Sequence, residues 1–162
     1  MATPTYDLLE SVTLATAASS VTFSSIDQNY GDLILTCNNP AVSNLGLELR
    51  INGDTGSNYN LVRMIGNGSG ASSDSSINAN KWDYLYSSRF TKDSTFSLSL
   101  MDYSATDKHK SMLYKLGTAS SQIIAGALRW ASTSAINEIN LLAYDSNNFP
   151  IGFTANLYGV AK

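Results

Sequence analysis

"TFSLSLM", residues 95–101, sets the pattern on which the rest of the chain is read. Phe96, Leu98 and Leu100 fall at every second position with Ser97 and Ser99 between them. In an extended strand the apolar three share one face and the serines the other, as in a sheet with one side packed and one side wet. The same step recurs at Leu33, Leu35 and Cys37, at Leu45, Leu47, Leu49 and Ile51 against Glu48 and Arg50, and at Tyr59, Leu61, Arg63 and Ile65. Strands are predicted near 6–15, 20–26, 31–38, 45–52, 58–65, 81–88, 94–103, 110–117, 121–131, 136–144 and 149–161. Gly, Asn, Asp, Ser and Pro clusters separate them, and these residues punctuate chains through special dihedrals and side-chain-to-backbone bonding.

No segment sustains a helical period. The expectation is an all-β, antiparallel two-sheet sandwich, jelly-roll-like, of about ten strands, in a single domain over 1–162. The last strand alternates Phe149, Ile151, Phe153, Ala155 and Leu157 on one face. A long apolar strand belongs inside a sheet, because at an edge it invites pairing with another chain. The Gly/Ser/Asn-rich stretch 66–80, "GNGSGASSDSSINAN", is expected to be a mobile surface connection.

A chain of 162 residues is long enough to build a core without staples. Charged residues make up 14% of it and the net charge is −3, with no basic cluster larger than Lys108-His109-Lys110, so nucleic acid and anionic membrane are disfavoured as partners. Cys37 is the only cysteine, which excludes an internal disulfide and a cysteine zinc cage; its place in an alternating strand predicts a buried, inert thiol. "MATPTYDLLE" lacks the basic start and apolar run of a secretion signal, and no stretch is long enough to span a bilayer as a helix, so a soluble chain is expected.

Specific chemistry finds little to stand on. Asn52, Asp54, Ser57 and Asn58 have the alternating oxygens of a calcium loop but only one carboxylate and no downstream bidentate Glu, so a hairpin turn is the reading and a weak cation site at Asn52, Asp54 and Asn58 the alternative. "IGNGSGAS" lacks the following helix and lysine that a phosphate cradle needs. The lone His109 lies between lysines in a polar turn, and most of the thirteen carboxylates sit where turns are expected. No catalytic residue and no cofactor are assigned. The aromatic run "WDYLYSS" aligns Trp82, Tyr84 and Tyr86 on one strand face, either as sandwich core or as a platform for a sugar or protein partner, and Trp130 has the same two readings.

Four stretches resemble a known family: 5–26 ("TYDLLESVTLATAASSVTFSSI"), 47–73 ("LELRINGDTGSNYNLVRMIGNGSGASS"), 127–143 ("ALRWASTSAINEINLLA") and 153–160 ("FTANLYGV"). In that order they are similar to small all-β virion structural proteins of tailed phages, especially those infecting cyanobacteria and other marine bacteria; 75–120 lies outside the likeness. The resemblance implies a non-enzymatic component of the particle exterior. In one form it is a capsid decoration (cement) protein that binds the major capsid protein or another virion protein and associates with copies of itself. In the other it is a tail-fibre module whose loops at 52–58 and 66–80 and aromatic face at 82–86 contact host glycan. A carbohydrate-active enzyme or carbohydrate-binding domain on a similar sandwich is a third class.

Overall fold

A computed structural model describes residues 4–40, 45–86, 92, 94–118, 122–144 and 147–162, and of 83–86 the backbone only. Twelve strands run through the described residues: β1 (Tyr6–Thr13), β2 (Ser20–Phe23), β3 (Asp32–Asn39), β4 (Leu47–Ile51), β5 (Tyr59–Gly66), β6 (Ala71–Ala79), β7 (Trp82–Tyr86), β8 (Ser94–Leu100), β9 (Lys110–Gly117), β10 (Ile123–Trp130), β11 (Ile139–Ala143) and β12 (Thr154–Val160). They form an eight-stranded sheet, β1-β12-β3-β8-β9-β10-β5-β6, and a four-stranded sheet, β2-β11-β4-β7. Every pairing is antiparallel. The all-β two-sheet sandwich expected from the alternation is the fold.

The core is one cluster between the sheets. Leu33, Leu35, Phe96, Leu98, Leu100, Met112 and Leu116 reach it from the large sheet; Val21, Phe23, Leu49, Ile51, Ile139 and Leu141 reach it from the small one. Burial of an apolar side chain contributes about 1.5–3 kcal/mol, and the pleat delivers one such side chain every second residue. Cys37 is fully buried in this layer, and burial pushes its thiol far above the ordinary range.

Three expectations need correction. The stretch 66–80 is not a loose connection: Ala71–Ala79 is strand β6, paired with β5 through Leu61↔Ser76, Arg63↔Asp74 and Ile65↔Ser72. An edge strand is held by ladder hydrogen bonds on one side and needs no apolar face, so its serine-rich composition hid it. Second, the turn at 52–58 is tight but is not a hairpin. Asn52 (φ 50) and Gly53 (φ 64) turn the chain with the Asp54 amide donating to the Ile51 carbonyl at 2.9 Å, a left-handed pair of the kind hairpins use. It nevertheless carries the chain from β4 in the small sheet to β5 in the large one. Third, the terminal strand begins at Thr154 and does lie inside the sheet, between β1 and β3. Ile151, assigned to its inner face, is 66% exposed in a turn at Gly152 (φ 79), while Phe149 and Phe153 stack at 4.3 Å.

Gly126, on β10, is the glycine that packing demands. A Cβ there would meet the Tyr114 ring and come within 3.0 Å of the Val62 carbonyl oxygen, whereas at Gly66, on β5, nothing lies within 4 Å. Gly126→Ala is therefore expected to lower stability by about 1–3 kcal/mol through overpacking. Gly66→Ala should leave it unchanged or raise it by up to about 1 kcal/mol. Urea denaturation midpoints of the two variants check the contrast.

Candidate functional site

The oxygens of the 52–58 turn are occupied by the protein's own donors. Asp54 Oδ1 accepts from the Gly56 amide at 2.8 Å, and Oδ2 accepts from Asn58 Nδ2 at 2.9 Å and Trp130 Nε1 at 2.7 Å. Asn52 Oδ1 accepts from the amides of Asn137 and Glu138, both at 3.0 Å, and its Nδ2 donates to the Ala135 carbonyl at 2.7 Å. The Tyr59 hydroxyl donates to the Asp54 carbonyl at 2.8 Å. Asn52, Asp54 and Asn58 thus fasten the crossover to the 135–138 segment and to β10; N–H groups already point at the lone pairs a cation would need. Burial works to raise the Asp54 pKa, but the donors from Asn58, Trp130 and Gly56, with the Arg50 charge, outweigh it and lower the net value. Among the described residues no group of three or more His, Cys, Asp or Glu side chains is placed to hold a metal ion.

The aromatic platform is corrected in part. Trp82 is 1% exposed, meets Tyr59 edge-on at 5.0 Å and donates its indole N–H to the Asn60 carbonyl at 3.0 Å. Trp130 is 2% exposed, its indole on Asp54. Both belong to the core, because β7 and β10 turn these positions inward beneath the opposite sheet. The side chains of Tyr84 and Tyr86 lie outside the described residues.

The basic triplet does not form a patch. Lys108 pairs with Asp102 at 3.1 Å on the surface, and His109 Nδ1 lies 2.7 Å from Arg129 Nη2, which donates to it. Lys110 is buried, with its ammonium donating to the carbonyls of Ala105 at 2.6 Å, Lys108 at 3.1 Å and Thr133 at 3.4 Å. It ties two loops together, and burial lowers its pKa.

The feature not anticipated from the sequence is the outer face of the large sheet. Its registers align Leu8, Tyr158, Ile34, Ser99, Leu113, Ala127, Val62 and Ser75 in one row across all eight strands. The next row is Ser11, Asn156, Thr36, Ser97, Lys115, Ala125, Met64 and Ser73. Over β9, β10 and β5 the grid turns apolar: Val62 is 57% exposed, Met64 65%, Leu113 55% and Ile123 70%. Val62, Met64 and Leu113 flank a groove of about 370 Å³ whose floor is Ala125-Gly126-Ala127. The signal was present as doublets that break the alternation, Leu61-Val62, Met64-Ile65, Met112-Leu113 and Ile123-Ile124. In each, one residue faces the core and its neighbour faces solvent.

No family model matches the chain, nor does any curated protein. Among solved structures it is similar to galectin LEC-6 of Caenorhabditis elegans, with a TM-score of 0.34 and 9% identity over 94% of this chain and 96% of that one. It is also similar to domains LG4-5 of the mouse laminin alpha1 chain, with a TM-score of 0.30 and 12% identity over 91% of this chain and 40% of that one.

Replacing Asp54 by Ala strands the Trp130 indole and the Asn58 amide, which is expected to cost about 1–3 kcal/mol. Because the folded-state pKa is depressed, this contribution is fully present above the unfolded carboxylate value of about 3.9 and is lost as pH falls through the lower folded value. Denaturation of wild type and variant as a function of pH should show a gap that is constant near neutrality and closes below about pH 4.

Proposed function

We propose that the protein is a non-enzymatic component of a phage particle exterior, a capsid decoration protein that binds the major capsid protein or another virion protein. The single structural observation that supports binding through a face is the exposed apolar area over β9, β10 and β5 on a rigid two-sheet frame. Monomeric proteins rarely leave contiguous apolar surface of several hundred Å² uncovered unless something docks there.

The sheet edges offer less. β6 carries a register shift opposite Tyr59/Leu61 and the Asp74 charge, β1 a shift between Leu8 and Glu10, and β2 is four residues long. Bulges, charges and short strands all discourage pairing at an edge. The likeness of 5–26, 47–73, 127–143 and 153–160 to virion structural proteins supports the particle as the setting. Many copies on a symmetric shell would make even a weak contact effective. The fibre-module reading, in which an aromatic strand stacks on glycan, loses Trp82 and Trp130 to the core.

Mapping this chain in the density of intact particles tests the proposal. It should appear at repeated positions on the capsid shell. Absence from purified virions, or density confined to the tail, would refute the decoration role.

A further inference from the structure

We propose that the seat over Ala125 and Ala127 receives an acidic strand of another protein, one that presents an apolar side chain between two carboxylates at alternate positions. The inference rests on the reading of this face as the binding surface and names the chemistry of the partner.

The registers give the seat its walls and ends. In the row of Ala127 the floor lies between Leu113 and Val62, and in the row of Ala125 between Lys115 and Met64. One row beyond Ala125, Ile123 stands 70% exposed between Gly117 and Gly66. One row beyond Ala127, Arg129 stands exposed between Ser111 and Asn60. Small residues with larger ones at both sides and both ends make a socket for an apolar side chain, not a through channel. Across the ridge of Leu113 and Lys115 the neighbouring hollow is lined by Ser97 and Ser99, whose hydroxyls offer an apolar side chain no equivalent place.

Charge selects the partner. The chain is acidic overall, with a net charge of −3, yet the outward positions of β8, β9, β10 and β5 carry Lys115 and Arg129 and no carboxylate. Asp74, on β6, is aligned with Arg63 on the other side of the sheet and pairs with it at 2.6 Å. The cross-strand neighbours of Lys115 are Ser97 and Ala125. Arg129 gives an N–H to His109 at 2.7 Å, and a guanidinium has further donors for a carboxylate. Two separated cations on an acidic chain are no track for a polyanion; they suit two discrete carboxylates.

Spacing sets the pattern. The row of Lys115 and the row of Arg129 are four residues apart along β10, roughly 14 Å at the rise of a strand. A partner strand has the same rise. Lying along β10, it places one carboxylate over Lys115, an apolar side chain two residues on over Ala127, and a second carboxylate two residues further over Arg129. Its backbone groups stay paired within its own sheet, so face-to-face packing strands no donor. No two carboxylates of this chain stand four residues apart, so a second copy does not present this pattern from one strand.

The probe is a disulfide-closed hairpin peptide whose outward positions on one strand read Asp, Leu, Asp, titrated onto the full chain at low salt and followed through backbone amide NMR shifts. Shifts are expected at Val62, Leu113, Lys115 and Ala127. A hairpin reading Lys, Leu, Lys should bind at least ~10-fold more weakly, and so should one reading Asp, Ser, Asp. The double variant Lys115→Glu with Arg129→Glu, at exposed positions, should invert the preference between the Asp and Lys hairpins. Ala127→Leu, which fills the seat, should block the Asp, Leu, Asp hairpin while the circular dichroism spectrum is unchanged. No shift on this face, or equal binding of the Asp and Lys hairpins, overturns the proposal. A face that ignores the Asp hairpin but responds to phosphatidylglycerol vesicles, or to the chain's own concentration, overturns it in favour of a membrane or a second copy. Mapping the chain in intact particles bears on the virion role alone, so the two failures are distinguishable.

Discussion

Strict alternation along the pleat is the constraint from which the rest of the molecule follows. Once Phe96, Leu98 and Leu100 are pinned in the core, Ser97 and Ser99 have no choice but the outer face, and a slip of one residue would exchange the two sets. The registers then run unbroken across β12, β3, β8, β9, β10 and β5. Burial on one side thus assembles, row by row, the surface on the other. The apolar area over β9, β10 and β5 is a product of the same registers that build the core.

Most polar groups that sequence reading could have assigned to chemistry hold structure instead. Asp54 gathers N–H donors from its own turn and from Trp130, and Asn52 ties that turn to residues 135–138. Lys110 spends its ammonium on backbone carbonyls. Glu48, 4% exposed, is paired with Lys81 at 2.8 Å. Buried polar groups must be satisfied or they cost about 1–3 kcal/mol each, and with twelve strands among the described residues the loop-crossing points are where that need arises. The network ties the loops to the strands they connect.

Edges and faces play different parts. A sheet edge binds by backbone hydrogen bonds and accepts almost any strand, which is why β1 and β6 carry irregular registers. A face binds by side-chain relief and is selective. Here the relief comes from three small residues, Ala125, Gly126 and Ala127, set between larger neighbours. Gly126 serves both sides of the sheet at once, making room inward for the Tyr114 ring and leaving the floor of the groove low outward.

By itself the sequence determined the class of fold, the strand positions to within a few residues, the buried Cys37 and the tight turn at Asn52-Gly53, because period-two alternation and left-handed turn residues are local properties. Composition misled at 71–79, where Ser-rich β6 is a strand only because β5 offers it a partner. Trp82 and Trp130 could be weighed as core or platform, and only the second sheet decided for core, since burial depends on what lies opposite. The doublets mark single outward apolar residues, but their assembly into one face was decided by tertiary structure: Leu113, Ala127 and Val62 are far apart in sequence, and nothing in any one strand says that the three will stand side by side.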